Sequence, residues 1–276
     1  MTINIKSDKG VSTSCRDIFY GMAYGGAFMV GVSPFVNYFN NVSVVATKYN
    51  YCWGAPYIQV FRGVGLASES SWKNLFRGLS AHYAKELPRL AFKPFGLYTL
   101  KPYLDDNFSE QQSAFIFAST LAGAEMLIAN PADSIRVQRQ AGGIIDYSMQ
   151  SLYRGAVANG VRQFLTWYTF SKVNGYLNKS LSKNGIPENS LYASCIKGLA
   201  VGFALVPIFP VERLKNEIQH QARGDVSESY IATARKICLR RGARAMFFGA
   251  GAKCVSHSIQ ATAASCMVSM SSCAKS

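Results

Sequence analysis

Residues 130–140 read NPADSIRVQRQ, a proline, an acid, a base and a glutamine set directly behind the apolar run FIFASTLAGAEMLIA at 115–129. A soluble helix can end this way, so a single occurrence decides little. Working outward from it, the pattern recurs. A glycine stands eight residues before a proline three times, as Gly26 and Pro34, Gly123 and Pro131, and Gly202 and Pro210. The three stretches are GGAFMVGVSP, AGAEMLIANP and VGFALVPIFP, each inside an apolar helical run. Further on, three similar segments close on glycine: LFRG at 75–78, LYRG at 152–155 and MFFG at 246–249. Each of these opens another predicted helix. The chain is therefore three copies of one unit, an odd helix with a kink, a connection and an even helix.

The composition frames that repeat. The 276 residues are 49% hydrophobic and 16% charged, whereas an average soluble domain is about a quarter charged. The balance is basic, 29 Lys+Arg against 15 Asp+Glu for a formal +14, which calls for an anionic partner. Ile18 to Thr47 carries no charge over 30 residues, enough to cross a bilayer of about 30 Å. Later apolar runs are interrupted by Lys85, Glu86, Arg89 and Lys93, by Glu125, and by Lys253 and His257. Such charges are tolerable in a membrane only where they face a polar interior. Seven cysteines without a CxxC pair predict neither a disulfide framework nor a zinc site. The start, MTINIKSDKGVSTS, lacks the apolar centre of a secretory signal and the arginines of a cleavable transit peptide.

The repeated motif resembles that of the mitochondrial carrier family, over about Cys15 to Met270. The family motif is Pro-x-[Asp/Glu]-x-x-[Lys/Arg] with a glutamine at the ninth position after the proline. PADSIRVQRQ supplies Pro131, Asp133, Arg136 and Gln140; PVERLKNEIQ supplies Pro210, Glu212, Lys215 and Gln219. The resemblance implies an all-α membrane protein, three tandem repeats of two tilted transmembrane helices around a central cavity. It implies six spans near 16–40, 72–102, 111–138, 155–179, 190–216 and 246–271, in one domain over 1–276. The repeats cover 15–105, 106–185 and 186–276. Prolines 34, 131 and 210 would kink the odd helices, because proline has no amide proton and its ring clashes with the preceding turn. Gly26, Gly123 and Gly202 would let helices pack closely in lipid. The acids and bases of the motif would form a matrix gate, each acid pairing with the base of the next odd helix.

Departures from the family pattern are specific. In SPFVNYFNNVS, Val36 and Phe39 stand where the first acid and base belong, and Ser43 replaces the glutamine. Only Asp133–Lys215 then survives as a ring pair, leaving Arg136 and Glu212 to pair with each other. The second repeat is short, 24 residues from Pro131 to Gly155 against 44 and 39 in the other two. Short matrix-side helices are expected in repeats 1 and 3, with YIATARKICLRRGA at 230–243 as one of them, and little or none at 141–150. The opposite gate is eroded: its six positions hold Tyr98 and Lys101, Gly175 and Asn178, Ser269 and Ser272, with one charge among them.

Counting seven and eight residues past the even-helix glycines, the family's substrate level falls on Lys85 and Glu86, Arg162 and Gln163, and Ser256 and His257. Arg89 lies one turn past Lys85, and Glu125 is an acid available to one of these bases. Snorkelling to an interface is the alternative for Lys85 and Arg162. Two cations at this level imply an anionic small-molecule substrate. Arg162–Gln163 resembles the pair found in keto-acid carriers. The positive balance and Phe164, Trp167 and Tyr168 suit a polyphosphate with a base to stack. The degenerate motifs are also similar to carriers that intracellular bacteria secrete into host mitochondria, which move adenine nucleotides.

The resulting expectation is a monomeric carrier of ATP or ADP in the mitochondrial inner membrane, working by alternating access. A di- or tricarboxylate or keto-acid carrier is the alternative, and a carrier fold without transport activity is another. The resemblance further implies cardiolipin as a lipid partner, with no cofactor and no metal. A nucleic-acid binder is disfavoured because the charges are spread through apolar helices. An enzyme is disfavoured because no phosphate loop, zinc spacing or nucleophile–base pair remains unexplained.

Overall fold

A computed structural model describes residues 23, 31, 34–40, 42, 79–140, 146–187, 190–219 and 229–273. Among the described residues the fold is all helix, without strands. After a helical segment at 34–40 come α1 (Leu79–Phe95), α2 (Lys101–Asn107), α3 (Glu110–Ala124), α4 (Asn130–Gln140) and the single-turn α5 (Met149–Leu152). Then follow α6 (Ala156–Lys183), α7 (Leu191–Ala204), α8 (Phe209–Gln219), α9 (Tyr230–Arg241) and α10 (Ala250–Cys273). Of the expected spans, 16–40 is described only at 23, 31 and 34–40, and Gly26 and residues 72–78 lie outside the described residues.

Several of these are pieces of longer rods. α3 runs into α4 through a π-helical turn, Glu125–Ala129, and α1 into α2 through another, Gly96–Leu100. Each wide turn stands just ahead of a proline, Pro131 or Pro102, whose missing amide and bulky ring disrupt the regular bonding of the turn before it. In the third copy Pro207 and Pro210 lie close together, and α7 passes to α8 through a tight 3-10 turn, Val206–Ile208. The prolines therefore change the helical pitch, in opposite senses in the two copies.

Two stretches, Glu110–Gln138 and Leu191–Gln219, are long and apolar enough to cross a membrane, 29 residues each with mean hydropathy 1.3 and 1.8. At 1.5 Å per residue each rod is about 43 Å long. Helix also fills 79–102, 156–179 and 250–271 within the other expected spans, without reaching that combination of length and hydropathy.

Serines set the starts of the odd rods. Ser109 caps α3 in a capping box with Gln112, and Ser190 accepts from the Ala193 amide at the start of α7. The even rods start differently. Gly155 and Gly249, closing LYRG and MFFG, take φ of 76° and 83°, a left-handed turn that a side chain disfavours. That explains why the repeated segment ends in glycine. Between α4 and α6 the described residues hold only α5, in keeping with a shortened second repeat, while residues 141–145 lie outside the described residues. α9 occupies the stretch expected as a matrix-side helix in repeat 3.

α7 packs along α10, α3 along α6, α1 on α4, and α8 on α6. At the first of these contacts a Cβ on Gly202 would meet Ser258 Oγ at 1.9 Å and the Cys254 carbonyl at 3.0 Å. Gly198, one turn earlier, would meet Thr262 Oγ1 at 1.9 Å. At Gly123 no atom of the described residues lies within 4 Å of a Cβ placed there, so the close contact of Gly202 has no counterpart among them.

Side chains are distributed with polar groups inside and apolar ones outside. Lys215 and Asn37 are 0% exposed, whereas Phe203 is 67%, Leu127 62% and Leu191 70% exposed. Buried charges number seven bases (Arg89, Arg136, Arg162, Lys197, Arg213, Lys215, Lys253) against four acids (Glu86, Glu125, Asp133, Glu212) among the described residues.

Candidate anion site

Apart from Lys197 and from Arg213, which lies 3.7 Å from Glu217, the buried charges fall into three groups, two of them built on the repeated motif. In the Pro131 copy, Asp133 sits one turn into α4 and accepts from Arg136 of the same helix, Nη2 at 2.9 Å and Nε at 3.1 Å. Its other oxygen accepts from Lys215 of α8. The expected pair Asp133–Lys215 is thus formed, tying the C-terminal parts of two rods together.

In the Pro210 copy the acid behaves differently. Glu212 of α8 accepts through Oε2 from Arg162 Nη1 of α6 at 3.2 Å. Through Oε1 it pairs with Lys253 Nζ of α10 at 2.9 Å, and His257 Nε2 lies 3.8 Å from Oε2. The pairing of Glu212 with Arg136 expected from the sequence does not occur, because Arg136 is held by Asp133. Arg162 is oriented further by Asn159 Oδ1 at 3.1 Å, and Lys253 donates to Asn40 Oδ1 at 2.7 Å. Arg162, Glu212, Lys253 and His257 line a narrow pocket together with Thr166, Gly202 and apolar residues that include Leu205, Ile208 and Phe209, with space for about one water.

The third group lies on α1, α6 and the π-helical turn before Pro131. Arg89 bonds both Glu86 and Glu125, Gln163 donates to Glu125, and Lys93 lies 3.6 Å from Glu86. Glu125 therefore takes up Arg89 and Gln163, two of the residues expected to touch substrate. The side chains of Lys85 and Gln140 lie outside the described residues.

Other sequence expectations are corrected. Ser256 is buried with Oγ 3.5 Å from Asn40 Oδ1 and is not part of the pocket wall. Gln219 packs its stem against Gly155, and its amide has no hydrogen-bond partner among the described residues, so it braces no gate pair. Lys101, the one charge left at the opposite gate positions, pairs with Asp105 of its own helix and donates to Ser113 Oγ of α3 at 3.2 Å. Trp167 packs edge-on to Phe117 and Phe170, and Phe164 stacks on Tyr168 and meets Phe115. None of these three aromatics lines the pocket; they hold α3 to α6.

Lys253 and Asn40 are polar residues at the site that were not among the candidates, as is Asn159. The signal for Lys253 was present as a base inside an apolar run, one turn before His257 on the same face. Asn40 carried no signal beyond being a polar residue in the uncharged first stretch.

Chemically, the pocket offers two cations from separate helices, already bridged by one carboxylate. A buried ion cluster of this kind survives because each charge has a partner within reach. Removing or displacing Glu212 would leave two cations facing one cavity, a seat for an anionic group. No protein-family model matches the chain and no curated protein matches it in sequence, so the geometry carries the functional reading.

Proposed function

We propose that this chain is a membrane transporter of the mitochondrial-carrier type, with three repeats of two helices around a central cavity. Its cargo is an anionic metabolite, adenine nucleotide ahead of di- or tricarboxylates and keto acids, moved across the mitochondrial inner membrane by alternating access. The observation that carries the reading is the convergence of Arg162 and Lys253, from α6 and α10, on one pocket in the bundle interior. The excess of buried bases over buried acids supports an anion rather than a cation as cargo. The inverted distribution, with charge inside and large apolar side chains outside, supports a lipid surround. So do the two rods long enough to span it.

Under this reading Asp133–Lys215 is the lock at one end. Alternating access requires that pair to break and re-form, driven by the differential affinity of cargo for the two states. The test is uptake of labelled ATP by liposomes carrying the purified protein. Saturable uptake is expected in the wild type, and Arg162→Ala should abolish it. Absence of uptake for nucleotide, dicarboxylate and keto acid alike, or normal uptake by Arg162→Ala, would overturn the transport reading. The carrier fold would then be an interaction scaffold.

A further inference from the structure

Glu212 occupies the place an anionic cargo would take. Its two carboxylate oxygens are divided between the two cations, Oε2 with Arg162 and Oε1 with Lys253. The remaining space admits about one water, so cargo and Glu212 do not fit together. In the carrier pattern the Pro210 acid pairs with a base of the first repeat, and Phe39 stands at that position here. Asn40, beside it, instead accepts from Lys253 and so helps hold Lys253 beside Glu212.

We infer that Glu212 is a resident carboxylate in the anion site, a tethered competitor that cargo must displace, and that it selects phosphate-bearing anions over monocarboxylates. The inference rests on the transport reading above. A tethered group competes at an effective concentration of millimolar or more, without loss of translational freedom. A free monocarboxylate replaces one carboxylate by another of the same charge and geometry, so it gains nothing to offset that disadvantage. A phosphate group carries about −1.5 to −2 charges and three acceptor oxygens, enough to hold both cations at once with more charge than Glu212 supplies. Arg162 favours it further through the planar fork of its guanidinium. Glu212 thereby sets the threshold a ligand must exceed.

The experiment titrates the full-length protein in detergent with ATP, inorganic phosphate and pyruvate, reading affinity by calorimetry. The wild type should bind ATP and phosphate, with pyruvate at least about tenfold weaker than phosphate. Glu212→Gln, which keeps the shape and removes the charge, should tighten all three by about tenfold or more and bring pyruvate into the measurable range. Glu212→Asp, whose shorter arm draws the carboxylate back from the cations, should show the same direction with a smaller change. It covers the case in which the glutamine variant does not fold. Unchanged affinities and ranking in both variants, or a wild type that binds pyruvate as tightly as phosphate, would overturn the inference while leaving transport standing. If no protein in the series binds any of the three anions, the inference falls, and the transport reading is decided separately by the liposome uptake assay.

Discussion

The Pro131 and Pro210 copies carry an acid and a base at the same spacing, yet the two acids end in different company. Asp133 is bonded within its own helix and across to Lys215, an odd-to-odd contact. Glu212 is bonded to Arg162 and Lys253, with His257 3.8 Å away, all on even helices. The motif is the same and the neighbours differ. Asp133 finds the base of the next repeat in place, whereas the repeat that should serve Glu212 presents Phe39. A buried carboxylate cannot stay unpaired, so it takes the nearest cations available. In this account one copy is a lock and the other fills a binding seat.

The comparison can be broken first at the lock. Lys215→Ala removes the interhelical half of the Asp133 cluster, and removing one partner of a buried pair costs about 3–5 kcal/mol. Because Arg136 still serves Asp133, the lower end of that range is expected, as a drop in melting temperature in detergent. Leak of preloaded ATP from liposomes without external counter-substrate should rise. An unchanged leak would remove Asp133–Lys215 from the lock.

A second contrast separates the two copies at their glycines. Gly202→Ala forces a Cβ into Ser258 and the Cys254 carbonyl, and should destabilise by about 1–3 kcal/mol, as overpacking does. Gly123→Ala meets nothing among the described residues and should stabilise by up to about 1 kcal/mol from helix propensity alone. Thermal unfolding of the pair would settle whether close packing belongs to one copy or both; equal shifts would contradict the asymmetry.

The smallest effect expected is the most specific. Phe39→Lys restores a base to the first repeat and should draw part of the Glu212 charge away from Arg162 and Lys253. The half-saturation concentration for ATP uptake should fall by a few-fold to about tenfold. No change would mean that Phe39 is not why Glu212 turns to the even helices.

Much of this was legible in the sequence, and the failures have physical causes. The rods expected at 111–138 and 190–216 appear as Glu110–Gln138 and Leu191–Gln219, because a long apolar run with a serine cap and a proline signals itself locally. Asp133–Lys215 was legible because both residues keep their place in a repeat. Glu212's true partners were not, since they depend on which neighbour is missing three-dimensionally, not on its own motif. The aromatics were misplaced by reading adjacency along the chain. Positions 164, 167 and 168 are turned by about 140° to 240° from Arg162 on a helix, whereas Thr166, at about 40°, shares its face and lines the pocket. Lys253 was missed because counting seven and eight residues from Gly249 overshoots it by a turn, although the pocket is built at its height. Gly123 and Gly202 share a register, but among the described residues only Gly202 is in tight contact with a facing helix.

The most direct measurement compares Asp133→Asn and Glu212→Gln side by side in ATP-loaded liposomes, recording both counter-substrate-independent leak and the half-saturation concentration for uptake. The account predicts a split: Asp133→Asn raises leak with little change in half-saturation, and Glu212→Gln lowers half-saturation with little change in leak. If both variants change the same quantity in the same direction, the two copies do one job, and the division between lock and binding seat is wrong.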